Sequence, residues 1–140
     1  MIKYKKLPKN INELLPKAIF YLNSLPDVWF VYLFGGLAKG NATPLSDLDL
    51  AIYLNPEANT SDHKLELLGN LIDMLQTDEI DLVILNRAPL PLRMQILKNK
   101  KILVDKAPFK RHAYESLTMR EYFDFSYIEK GILKRRFLNG

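Results

Sequence analysis

The sequence predicts an α/β (α+β) domain in which helices pack on a small sheet. Three observations carry the prediction. Four strand-like segments of five to seven residues are spaced along the chain, the first a continuous β-branched and aromatic run. Helical patterns separate them, giving the order α-β-α-β-α-β-α-β-α. The 140 residues fit a single domain, with no repeat, low-complexity tract or linker to divide them. The nucleus spans about residues 10–105, and a helical tail follows over about 106–140.

The elements follow in order. Asn10-Ile-Asn-Glu13 has capping-box spacing, so a helix starts there and runs to about Asn23. Pro16 either kinks this helix or moves its start to near Leu15. Val28–Phe34 is a continuous apolar run and reads as a strand buried on both faces, ended by Gly35-Gly36. Leu37–Gly40 reads as a short helical turn, and Asn41–Ser46 as a loop. Leu48–Leu54 is the second strand, stopped by Asn55-Pro56. Ser61 and Asp62 can cap a helix whose core stripe is Leu65, Leu68, Ile72 and Leu75. Ile80–Leu85 is the third strand. Pro91 suits the first position of a helix ending at about Asn99. Lys101–Asp105 is a short edge strand, and residues 108–136 form one or two helices.

Composition narrows the function. There is no cysteine, which excludes a disulfide framework, a cysteine zinc site and a thiol nucleophile, and which fits a cytoplasmic location. No apolar stretch reaches the roughly 20 residues that span a membrane, so no membrane association is expected. The net charge of +4 points first to an acidic partner. The charge is divided, however. Residues 1–17 and 106–140 each carry +4, whereas 18–105 carry −4. A uniform nucleic-acid coat would not be distributed in this way.

Three features of the acidic middle converge. Gly35-Gly36 follows a buried strand and precedes a helical turn, where free backbone N–H groups can approach a phosphate. Asp47 and Asp49 stand at i and i+2 where the second strand begins, so alternation puts them on one face, roughly 6.5–7 Å apart along the strand. Carboxylates so placed suit the Mg²⁺ ions of two-metal phosphoryl chemistry. Asp81 opens the third strand, and it joins the cluster if that strand neighbours the second. All three acids lie among apolar strand residues, where a carboxylate calls for a compensating cation.

Gly35-Gly36, ten intervening residues and Asp47-Leu-Asp49 resemble the signature of the polymerase-β-like nucleotidyltransferases: Gly-Ser, about ten residues, Asp-x-Asp, and a third acid on a later strand. Leu33-Phe-Gly-Gly-Leu-Ala-Lys-Gly40, Ser46-Asp-Leu-Asp-Leu-Ala-Ile52 and Asp81–Leu85 are similar to the minimal nucleotidyltransferase, or MNT, branch. The likeness extends from about residue 10 to 125. It implies the polymerase-β-like fold, with a small mixed β-sheet and flanking helices. It also implies an antitoxin that moves AMP from ATP onto a tyrosine of a HEPN-domain ribonuclease toxin.

Carried over by motif, Asp47 and Asp49 bind Mg²⁺, two ions in all. Asp81 completes one metal site and helps deprotonate the attacking hydroxyl. Gly35 and Gly36 hold the β- and γ-phosphates. Lys39, where the family often has arginine, neutralises triphosphate charge, and Ser46 lies beside the acids. The family serine is Gly36 here. A serine hydroxyl is worth about 1.5–3 kcal/mol to a charged phosphate, so its absence implies weakened nucleotide binding. Alternatives stay open: an antitoxin that neutralises by binding alone, and transfer to RNA or a small molecule.

His63 and His112 belong to no nucleophile or metal pattern and read as surface or capping residues. Residues 106–140 hold seven of the 15 aromatic residues: Phe109, Tyr114, Tyr122, Phe123, Phe125, Tyr127 and Phe137. They keep to no single helical stripe. They read as packing on the sheet or as a protein interface. Lys134-Arg-Arg136 suits a helix C-terminus, an acidic toxin surface or RNA.

Overall fold

The computed structural model describes residues 11–38, 48–58 and 60–138, with side chains described throughout except at 37, 38 and 132–138. The elements are α1 (Ile11–Ser24), β1 (Val28–Phe34), α2 (Gly35–Ala38), β2 (Leu48–Leu54), α3 (Thr60–Leu75), β3 (Ile80–Ile84), a 3₁₀ turn (Leu85–Arg87), α4 (Leu90–Asn99), β4 (Lys101–Asp105) and α5 (Pro108–Leu138).

The four strands form one mixed sheet in the order β3-β2-β1-β4. β1 runs antiparallel to both β2 and β4, and β2 runs parallel to β3. Apart from Asp49, the central strands are apolar because helices cover both faces. On one face, Val31, Leu33, Leu48, Leu50, Ile52 and Leu54 pack against Leu14, Ala18 and Leu22 of α1 and Leu67, Leu71 and Leu75 of α3. On the other, Phe30, Tyr32, Ala51 and Tyr53 pack against Leu92 and Ile96 of α4 and Tyr114 of α5. The alternation of β2 thus sends even-numbered residues to α1 and α3 and odd-numbered residues to α4 and α5.

Several boundaries differ from the sequence expectations for physical reasons. α1 runs from Ile11 with Pro16 inside it and does not restart near Leu15. Pro16 and Asn12 are both exposed, so the Asn12 carbonyl that loses its partner faces water. The helical turn after β1 begins at Gly35, two residues earlier than expected. The buried stripe of α3 is Leu67, Leu71 and Leu75, whereas Leu65 is 74% exposed. Leu68 and Ile72 lie at the margin of either stripe, so the apolar spacing fits both. β3 ends at Ile84, and Leu85 enters the 3₁₀ turn with its side chain buried.

Residues 108–138 form one helix. Its inward face is polar. Arg111, Glu115 and Thr118 are all buried. Tyr32 Oη donates to Glu115 Oε1 at 2.7 Å, and Arg111 Nη1 and Lys100 Nζ each reach the same oxygen at 3.1 Å. Arg111 Nε also donates to Asp105 Oδ1 at 3.0 Å. Burial pushes the Glu115 carboxyl up, but hydrogen bonds from Tyr32, Lys100 and Arg111 outweigh it and hold the group below its ordinary value. Tyr114 sits beside this network with its ring edge against Tyr53 at 5.2 Å, and its hydroxyl donates to the Leu85 carbonyl at 3.0 Å. From Phe123 to Lys130 nearly every side chain is exposed, so α5 outruns the sheet it packs on.

Candidate active site

β1 positions the first component of the site. Its last residue, Phe34, pairs with Asp49 of β2, and Gly35 follows directly with φ of +72°. A Cβ at Gly35 would overlap Asp49 Oδ2 and lie 2.9 Å from Asp49 Cγ. The Asp49 carboxylate therefore occupies the space that any other residue at position 35 would need. Two requirements for glycine coincide here: a left-handed backbone and a close approach. Gly36 continues into α2, which packs against β2 and α4.

β3 positions the second component. Its parallel register aligns Asp49 directly with Asp81, Ala51 with Val83 and Ile52 with Ile84. Directly paired residues project to the same face. Asp49 and Asp81 thus stand side by side on the α4–α5 face, at the end of the sheet where Gly35 lies. The neighbour relation that the sequence left conditional is present. The expected burial is not uniform: Asp49 is half-buried and Asp81 is exposed. Exclusion from water is therefore not what would draw a cation to Asp81; the adjacent negative charge is.

Asp47, Lys39 and Ser46 lie outside the described residues, as does the loop that joins α2 to β2. Among the described residues no three His, Asp or Glu side chains are gathered as a cation site. Asp49 and Asp81 nevertheless offer two adjacent hard oxygen donors. Mg²⁺ characteristically takes one or two carboxylates and completes its shell with water and substrate phosphate. The donor set therefore fits that ion.

His63 and His112 stay outside the site. His63 Nε2 lies 3.1 Å from Asp27 Oδ2, tying α3 to the turn before β1. His112 is exposed and lies beside Arg111. Of the tail aromatics, Tyr114 packs on the sheet and Tyr122 is half-buried, whereas Phe109, Phe123, Phe125 and Tyr127 are exposed. The packing reading thus holds for Tyr114, whereas the four exposed residues do not pack on the sheet. The Phe137 side chain lies outside the description. No helix among the described residues is long and apolar enough to cross a membrane.

Known proteins resemble the chain in sequence and in fold. The sequence profile described as "Polymerase beta, Nucleotidyltransferase" matches residues 16–109, which include all the strands and the two aligned acids. The chain belongs to the polymerase-β nucleotidyltransferase family. A Methanocaldococcus jannaschii protein named "Putative protein adenylyltransferase MJ1547" is 31% identical over 119 residues, covering 79% of this chain and 90% of its own length. A crystal structure of a toxin–antitoxin with AMP-PNP superposes with a TM-score of 0.69 at 25% identity, covering 89% of this chain and 96% of that one. A tri-AMPylated Shewanella oneidensis HEPN toxin in complex with its MNT antitoxin shares the fold, with a TM-score of 0.63 at 22% identity over 89% of this chain and 93% of that one.

The nucleotidyltransferase fold also brings together residues that sequence reasoning passed over. Thr60, Ser61 and Lys64 of α3 line an open cleft with Asp81, Leu82, Ile84 and Arg87 along the outer edge of β3. The available signal was a Thr-Ser pair at a helix start followed one turn later by a lysine.

Proposed function

We propose that this nucleotidyltransferase transfers AMP from ATP to a tyrosine hydroxyl of a HEPN-domain toxin and so acts as its antitoxin. The observation that carries this reading is the alignment of Asp81 with Asp49, whose carboxylate lies against Gly35 at the end of β1. The site then has a backbone approach for phosphate on one side and an exposed carboxylate on the other. Its likeness to a toxin–antitoxin with AMP-PNP supports ATP as the nucleotide and a toxin as the partner.

In this reading the acceptor hydroxyl attacks the α-phosphorus and pyrophosphate leaves. Asp81, the exposed acid, lies on the acceptor side and takes the hydroxyl proton. Asp49 stands on the strand next to Gly35, and Asp47 precedes it by two residues in the sequence. Mg²⁺ held by Asp47, Asp49 and Asp81 would neutralise phosphate charge and stabilise the leaving group. Gly35 and Gly36 bind the terminal phosphates through backbone N–H groups. Lys39, in the sequence between α2 and β2, adds a positive charge.

The test is incubation of the purified protein with labelled ATP, Mg²⁺ and the toxin. Label should appear on the toxin and release pyrophosphate. Asp47→Asn with Asp49→Asn should abolish both. Label that survives in the double variant would overturn these assignments, and label on RNA but not on protein would overturn the acceptor.

A second reading rests on the exposed Phe123, Phe125, Tyr127 and Ile128 of α5. An apolar surface of this kind suits a stable protein interface, and neutralisation by binding alone would use it. In that case the double asparagine variant still neutralises the toxin, one for one.

A further inference from the structure

The open cleft along β3 lies on the opposite side of the acids from the phosphate loop. Across the sheet the order is Gly35 at the end of β1, Asp49 on β2, Asp81 on β3, and then the cleft. β3 is an edge strand, so no further strand separates Asp81 from it. The cleft measures about 350 Å³ and follows β3 from Asp81 to Ile84, three residues or roughly 10 Å of strand.

Its chemistry is that of an anion site. Toward the Ile84–Arg87 end of the cleft the wall is the N-terminus of α3, a helix of 16 residues whose first backbone N–H groups have no intrahelical partner. Thr60 in that first turn is only 7% exposed, and its Oγ1 is buried with no hydrogen-bond partner. A buried hydroxyl left unpaired is costly unless a ligand completes it. Lys64, one turn along α3, and Arg87, in the turn after β3, line the same cleft and are exposed. Two cations, a helix N-terminus and an unpaired hydroxyl therefore share one concave surface. The apolar remainder, Leu82, Val83 and Leu92, suits the body of a polypeptide more than a free ion.

We propose that this cleft binds a carboxylate side chain of the acceptor polypeptide and thereby fixes which hydroxyl meets Asp81. This proposal rests on the nucleotidyltransferase reading and adds the recognition of the acceptor to it. The acceptor segment lies along the outer edge of β3, with its reactive hydroxyl at Asp81. An aspartate or glutamate about three residues away lies between Lys64, Arg87 and the Thr60 hydroxyl. The site selects by position relative to the acid and not by the identity of the residue bearing the hydroxyl alone.

Two experiments test it. In the first, inorganic phosphate is titrated into the full chain without nucleotide or Mg²⁺, and amide shifts are followed by NMR. Shifts are expected at Ser61 and Lys64, and they should weaken at least tenfold in Lys64→Ala/Arg87→Ala and also in Thr60→Val. The absence of shifts at the start of α3, or shifts unchanged in these variants, overturns the site. The second uses the toxin as acceptor. Lys64→Ala/Arg87→Ala should raise KM for the toxin about tenfold, with kcat and KM for ATP unchanged. A fall in kcat at unchanged toxin KM overturns the recognition role. Because the phosphate titration requires no catalysis, it separates failure of this site from failure of the nucleotidyltransferase reading.

Discussion

At the scale of single residues, Gly35 is the most constrained position in the site. Its φ of +72° is unfavourable for any residue with a Cβ, and the Asp49 carboxylate fills the place where a Cβ would go. Gly35→Ala should therefore displace Asp49. A displacement of about 1 Å can cost about 100-fold in rate, and we expect a loss of that order in transfer of label from ATP. Retention of full rate in Gly35→Ala would show that Asp49 does not act from its observed position. Gly36 differs in kind. It is the second residue of the four-residue helix α2, and the sequence resemblance implies a serine at its position. Gly36→Ser adds a hydroxyl worth about 1.5 kcal/mol or more to a charged phosphate. It should tighten nucleotide binding about tenfold, measurable as a lower KM for ATP. These two glycines look alike in the sequence, and the structure singles out Gly35 as the one whose backbone and surroundings exclude a side chain.

At the scale of elements, the anchoring of α5 is the least legible feature. Its aromatic residues follow no stripe because the face it buries is Arg111, Glu115 and Thr118, joined to Tyr32 of β1 and Lys100 before β4. Hydrophobic periodicity cannot find a helix held by a charge network. The strands, in contrast, were legible to within a residue, because Val28–Phe34 is apolar on both faces and ends at Gly35, and Leu48–Leu54 is apolar except at Asp49 and ends at Asn55-Pro56. The pairing of Asp49 with Asp81 was legible only as a condition, since strand order depends on contacts far apart in sequence. The Thr60–Lys64 wall of the cleft was missed because Arg87 joins it only through the fold.

The network has a pH consequence. The folded pKa of Glu115 lies below its ordinary value, so its contribution to stability is complete above the unfolded value of about 4.3. The contribution is lost as pH falls through the folded value. Denaturant midpoints should fall between pH 5 and pH 3 in the native protein, and the fall should be shallower in Glu115→Gln. At pH 7, Glu115→Gln leaves the buried Arg111 with Asp105 as its remaining acidic partner and should cost on the order of 3 kcal/mol. A midpoint at pH 7 within error of the native protein would contradict this account.

At the scale of the whole molecule, α5 is 31 residues long, about 46 Å at 1.5 Å per residue. Its first half is clamped to the sheet, and the segment from Phe123 to Lys130 is exposed nearly all round. A helical stretch without tertiary contacts is marginal in water. Brief trypsin treatment should therefore cut first beyond Tyr122, at sites such as Lys130, and spare the sheet. Phe123→Ser/Phe125→Ser/Tyr127→Ser should leave the thermal midpoint of the domain unchanged within about 2 °C while weakening association with the toxin. Unweakened association, read by co-elution, would place the interface elsewhere.

The sheet order has one further consequence. Gly35, the paired acids and the outer cleft are arranged across the strands, not along them. Their separations are multiples of the strand spacing of about 4.8 Å, a length set by backbone hydrogen bonds that no side-chain substitution alters. Loops between strands can therefore lengthen or change sequence without moving the reacting groups apart. A scaffold of this kind can exchange one acceptor for another by altering only the rim outside β3, while the distance over which the nucleotide travels stays constant.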